Sequence, residues 1–277
     1  MPKNIRVSLI KTVVSFAIIA TVTLTAVPKS SSATLAFSSL SADDLAGIIA
    51  DFGAVFAHSS VSPATQLGGG FGFELGLVGG LAKTPRIKSL ADAASPGSDV
   101  KYLPDAGILV AVSVPMGFKF ELELLPTLSG YGVGLKKTSY AIQWNLTDTV
   151  LPLPVDLAFK FHSSVVTASF SQDVLGTVED VQIQDSIRGY DLIVSKSFVL
   201  LEPYLGFGLI QAFGDVNLSG GTNSIFAFTN SLSVSSSVKS YEVFAGGNLH
   251  LAHFNFGLEV ARLFSTSRAL MKLSASF

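Results

Sequence analysis

The 277-residue chain carries 18 basic and 20 acidic residues, a formal net charge of −2, and no cysteine. This balance offers no clustered basic face for nucleic acid, and the lack of thiols excludes disulfides, thiolate metal sites, a cysteine nucleophile and a lipidated cysteine. With 48% hydrophobic residues but only 14% charged ones, the chain can bury, or expose to lipid, a large apolar surface.

Lys3, Arg6 and Lys11 precede an almost wholly apolar run from Thr12 to Val27, and small residues follow at Ser31, Ser32 and Ala33. This order is that of a secretory signal peptide cleaved after Ala33, and the run is shorter than the roughly 18 to 20 residues of a spanning helix. Cleavage removes four basic residues and no acidic one, leaving 14 basic against 20 acidic. Residues 34–65 form the next unit. Within it, residues 41–58 place Leu45, Ile48, Ile49, Phe52, Val55 and Phe56 at helical spacing. Ser41 is the expected N-cap, with Asp43 and Asp44 in the first turn. Gly47 and Gly53 each weaken the helix.

From residue 66 onward the period changes from helical to two. Ten alternating segments are predicted at 68–80, 106–116, 118–127, 138–148, 155–167, 186–196, 201–213, 238–251, 254–263 and 268–277. Their apolar rows include Phe71, Phe73, Leu75 and Leu77 in the first, and Phe254, Phe256, Leu258 and Val260 in the ninth. Connections alternate between short turns and longer loops, the latter expected at 81–105, 128–137, 168–185 and 214–237. Lipid offers backbone groups no hydrogen-bond partner, so strands that span it must close on themselves. The pattern therefore predicts an all-β fold: a transmembrane up-and-down antiparallel β-barrel of about ten strands over residues 66–277, with both ends of the wall at the periplasmic rim. Alternation alone also fits a secreted β-sandwich with its apolar face turned inward.

Two stretches resemble a known class. Met271, Leu273, Ala275 and the final Phe277 share one face, similar to the closing strand of Gram-negative bacterial outer-membrane β-barrels. Residues Leu201-Glu-Pro-Tyr-Leu-Gly-Phe-Gly resemble the Pro-Tyr-x-Gly-x-Gly strand of small porin-like barrels. The resemblance implies an outer-membrane location, lipid as the surrounding partner, and recognition of Phe277 by the barrel-assembly machinery.

If the apolar rows face lipid, the lumen receives Glu74, Lys119, Glu121, Glu123, Asp156, Lys160, His162, Asp191, Glu242, Asn248, His250, Asn255, Glu259 and Lys272. Gly70, Gly72, Gly76, Gly189, Gly206, Gly208, Gly246 and Gly257 share that face and leave room for another piece of chain. The 41–58 helix is the expected occupant, as a plug within the barrel or across its periplasmic mouth; a peripheral helix or periplasmic segment over 34–65 is the alternative. No catalytic residues, metal ligands or cofactor are assigned: Asp156 and His162 lie too far apart on one strand, and His250 and His253 point to opposite faces. The sequence thus predicts a non-enzymatic porin-like or plugged transport barrel for small polar solutes, cations or a hydrophobic molecule. A structural or adhesin-like barrel with a filled lumen is the alternative, and an outer-membrane hydrolase the third.

Overall fold

A computed structural model describes residues 41–277, apart from 69, 95–100, 131–132, 148–152, 175–176 and 221–231. The signal-peptide prediction at 1–33 lies outside the described residues. The wall consists of β1 (Gly72–Lys83), β2 (Tyr102–Val114), β3 (Phe118–Gly130), β4 (Val133–Asn145), β5 (Asp156–Val174), β6 (Thr177–Ser195), β7 (Leu201–Gly220), β8 (Leu232–Leu251), β9 (Phe254–Leu263) and β10 (Thr266–Ser276). Each strand pairs antiparallel with its sequence neighbours, and β1 with β10 closes the barrel. At the seam Phe73 N–H donates to the Phe277 carbonyl, and Phe277 N–H to the Phe73 carbonyl, both at 2.9 Å. Closure pairs the first strand with the last, so the wall has no terminal edge strand, which is what a wall standing in lipid requires.

The alternation dictates which way each side chain points. Leu75, Leu77, Phe120, Leu122, Phe159, Leu192, Phe207, Leu258 and Met271 are exposed on the outside, while Glu74, Glu121, Lys160, Asp191, Glu259 and Lys272 between them are buried inside. This is the reverse of a soluble protein and identifies an outer-membrane β-barrel. The inward-facing sandwich is excluded.

The long loops expected from the sequence are mostly strand. Pairing continues to Gly130↔Val133, Val174↔Thr177 and Leu218↔Leu232, so three hairpins extend well past the tyrosines Tyr140, Tyr190 and Tyr241. A 20-residue strand such as β7 runs roughly 65 Å at the usual rise, more than a tilted strand needs for a ~30 Å hydrocarbon core. Beyond the membrane the outer face of a strand meets water, so the outward apolar row is no longer required while backbone pairing goes on; the inner face there packs on the N-terminal helix. The β1–β2 connection holds a helix, α2 (Pro85–Ala94). Gly70, assigned to a strand from the sequence, lies before β1.

The plug helix, α1 (Ala42–Phe56), starts with a capping box. Asp44 N–H donates to Ser41 Oγ at 3.1 Å; the Ser41 hydroxyl and then its N–H donate to Asp44 Oδ2 at 2.7 and 3.2 Å and hold that carboxyl below its usual range. Leu45, Ile48, Ile49, Phe52, Val55 and Phe56 are all buried, packed with wall residues of β5, β6, β7 and β9. The helix therefore lies inside the barrel.

Candidate functional site: the plugged lumen

Residues 41–67 run down the barrel axis. At the far rim, opposite the chain ends, Asp51 Oδ2 accepts the N–H groups of Arg86 and Ile87, both at 2.8 Å, and so caps α2. Asp44 pairs with Arg86 at 3.3 Å. Ile49 occupies space that a side chain at Gly214 would take, since a Cβ there would stand 2.4 Å from Ile49 Cγ1. The surrounding wall is mostly apolar here: Val166, Ala168, Ile183, Ile187, Ile210, Ala212 and Leu263 form one buried cluster with α1, interrupted by the buried carboxyl of Asp185 between Ile183 and Ile187. Phe264, in the β9–β10 turn at φ +47°, lays its ring against Gly53.

Below α1 the chain is irregular, with Val61 at φ +46°, and the lumen becomes polar. Arg268 donates to the Ala57 carbonyl at 2.8 Å, Lys160 to Ser60 Oγ at 2.8 Å, and Lys272 to Ser62 Oγ at 2.9 Å. Ser59 and Thr65 donate to Glu259 and Glu202, each at 2.8 Å. Gln143 and Asn145 donate to the carbonyl of Ala64 at 3.1 and 3.2 Å, Ala64 N–H to Ser195 at 3.2 Å, and Leu67 N–H to Ser113 at 2.9 Å. The wall meets the backbone's need for partners that no regular structure supplies.

His58 is the centre of this network. Its Nε2 lies 3.0 Å from Glu121 Oε2 and its Nδ1 3.0 Å from Ser139 Oγ. Burial pulls the imidazole pKa down, but Glu121 and Glu123 together raise it above its ordinary value. Glu121 also meets Lys119 at 3.0 Å and Lys160 at 3.2 Å; Glu123 meets Lys137 at 2.9 Å, which reaches Asp105 at 2.6 Å. The Ser139–His58–Glu121 line resembles a nucleophile relay in outline only. Ser139 donates its proton to Glu123 at 3.0 Å, and the group is fully buried, so the hydroxyl is neither aimed at the imidazole nor open to a substrate.

Most of the lumenal residues read from the sequence meet in this column or beside it. Glu74 pairs with Lys272 at 2.9 Å, and His162 faces Asp191 at 3.3 Å and Glu242 at 3.8 Å. Asn248 is buried; His250 lies near the periplasmic rim between Asn255 at 2.8 Å and Glu202 at 3.3 Å, and Asp156 is half-buried there. Sequence reading missed Glu202, Arg268, Lys137 and Asp105. The first two share strand parity with lumenal neighbours, whereas the last two fell in stretches expected to be loops.

A groove of about 940 Å³ lies on the outer wall by Leu81, Tyr102, Leu205, Tyr241, Val243 and Arg262. It faces the lipid side. In the lumen, a cavity of about 10 Å³ remains beside the plug, bordered by His58, Ser59, Ser62, Lys160, Asp191 and Glu242.

Residues 11–265 match a family of unknown function, DUF6588. The chain belongs to that family. No curated protein matches the sequence. Among solved structures, the translocator domain of autotransporter NalP from Neisseria meningitidis is similar at 9% identity and TM-score 0.49, over 76% of this chain and 88% of that one. Ail, the attachment invasion locus protein of Yersinia pestis, aligns at 14% identity and TM-score 0.27, over 75% and 99%. LpxR from Salmonella typhimurium aligns at 8% and 0.27, over 73% and 99%. This family member is described by its own plugged lumen.

Proposed function

We propose that this protein is a plugged transport barrel of the outer membrane, through which an apolar or amphipathic small molecule passes when residues 42–67 move aside. The observation that carries this reading is the apolar collar of Val166, Ile183, Ile187, Ile210 and Leu263 around α1. Barrel interiors that conduct water are polar. Here the far half of the lumen is greasy apart from Asp105, Lys137 and Asp185, and it is covered by a helix whose own apolar face stands where such a solute would sit. The lower half holds the plug mainly through hydrogen bonds and ion pairs, which water can replace. Substrate binding and transport involve no assigned catalytic group. The ion-paired lower lumen favours the second reading, a structural or surface-interaction barrel that stays shut.

A disulfide lock separates the two. With no native cysteine, Ile49→Cys with Gly214→Cys makes a unique pair, and the close approach at Gly214 suits a disulfide's Cβ separation of ~3.5–4.5 Å. Passage of a naphthylamine dye into proteoliposomes should fall to the protein-free level on oxidation and recover with dithiothreitol. Deleting residues 34–65 should turn a silent planar bilayer into one with steady single-channel steps. Dye entry indifferent to the lock, together with silence after the deletion, would leave the shut barrel as the answer.

A further inference from the structure

We propose that His162, Asp191 and Glu242 form a binding site for one divalent transition-metal ion of the zinc class, set in the barrel wall beside the plug. The three side chains come from β5, β6 and β8, so no local spacing in the sequence announces them. They are 1%, 5% and 3% exposed, and one ligand atom from each lies within 4.8 Å of the others. His162 Nε2 is 3.3 Å from Asp191 Oδ2 and 3.8 Å from Glu242 Oε2. Ligand atoms around a tetrahedral ion with bonds of ~2.0 Å stand about 3.3 Å apart, so small side-chain adjustments would close the set on an ion.

Three independent features point to a ligand. Both ring nitrogens of His162, Asp191 Oδ1 and Glu242 Oε2 are buried without a hydrogen-bond partner, a costly state that an ion held by His162 Nε2 and Glu242 Oε2 relieves at those two atoms. Room has been cleared around two of the ligands: a Cβ at Gly189 would stand 2.3 Å from His162 Nε2, and one at Gly208 would stand 2.0 Å from Asp191 Oδ1. The cavity of about 10 Å³ borders Asp191 and Glu242 and has the size for one water, the usual fourth ligand of an open zinc site.

The neighbouring cations do not displace the ion. Lys160 is engaged by Ser60 at 2.8 Å and Glu121 at 3.2 Å. Arg268 approaches Glu242 through Oε1 at 3.4 Å, leaving Oε2 free. Two carboxylates balance a divalent charge, and an imidazole with two oxygens suits zinc, whereas calcium calls for six to eight oxygen ligands.

The test uses the processed protein, folded in detergent and stripped with EDTA. Co²⁺ should bind saturably at one equivalent, with the visible absorption of a four-coordinate site, and Zn²⁺ but not Ca²⁺ should displace it. His162→Asn and Asp191→Asn should each weaken binding at least 100-fold while the barrel keeps heat-modifiable migration; if either loses it, Glu242→Gln, which conserves shape, takes its place. Absence of saturable Co²⁺ binding to the unmodified protein overturns the proposal, as does undiminished affinity in the folded variants.

Discussion

A methyl group at Gly53 would stand 2.8 Å from Phe264 Cε2 and 3.1 Å from Ala212 Cβ, and one at Gly47 would collide with Arg86. Residues that weaken an isolated helix thus let this one approach the wall at Gly53 and α2 at Gly47, and packing outweighs a propensity cost of ~1 kcal/mol each. Asp51 shows the same trade in electrostatics. Burial pushes its carboxyl up to about 6, although the Arg86 and Ile87 N–H groups and the Arg86 charge pull the other way. Below about pH 4 the group is protonated whether α1 is seated or released. Between pH 4 and 6 only the released form ionises, and above 6 the seated form carries the full penalty, so the plug's hold weakens as pH rises through this window. Asp51→Asn, which can still accept from α2 through its amide oxygen, should remove that step. The measurement is protease protection of the plug at pH 4.5 and 7: the ratio between the two should be smaller in the variant than in the native chain.

At the scale of elements, the lower plug is irregular chain held by side chains of eight wall strands. Glu121 joins His58, Lys119 and Lys160. Removing its charge leaves three buried cationic or polarisable groups sharing too few acids. Glu121→Ala should cost about 3–5 kcal/mol, the range for breaking a buried pair from one side. Urea titration followed by protease cleavage should show residues 57–67 released before the wall opens. The column explains what could be read in advance and what could not. Parity along β3, β5, β6 and β10 placed Glu121, Lys160, Asp191 and Lys272 inside, because lipid enforces alternation there. The same rule applied to Arg268 and Glu202 would have found them. Lys137 and Asp105 sit where the alternation fades near the far rim, at strand ends for which the sequence predicts loops at 128–137 and 81–105. Between the helix predicted to end at residue 58 and the strand predicted to start at 68, the sequence shows neither period two nor 3.6 and predicts no element; the conformation there is imposed by the wall, and no local pattern encodes it.

For the whole molecule, the decisive partition is lateral. Leu258 on β9 faces lipid beside Met271 on β10, while Glu259, one residue on, faces inward and accepts from Ser59 and Tyr204. A charge is thus stabilised or expelled by a shift of one position. Leu258 lies within β9 (Phe254–Leu263), away from both turns, where an outward arginine should cost about 2–4 kcal/mol in a bilayer. A soluble sandwich would tolerate the same change at its surface nearly free of cost. Leu258→Arg should therefore lower the urea midpoint of protein folded in phospholipid vesicles, read through the sole tryptophan, Trp144, and should diminish the fraction showing heat-modifiable migration. Leu258→Ile should leave both near the native values. Because the arginine touches neither the plug nor the lumenal ion pairs, its penalty measures the contact between barrel and lipid directly, and equal midpoints for the two variants would mean that this wall does not stand in a membrane.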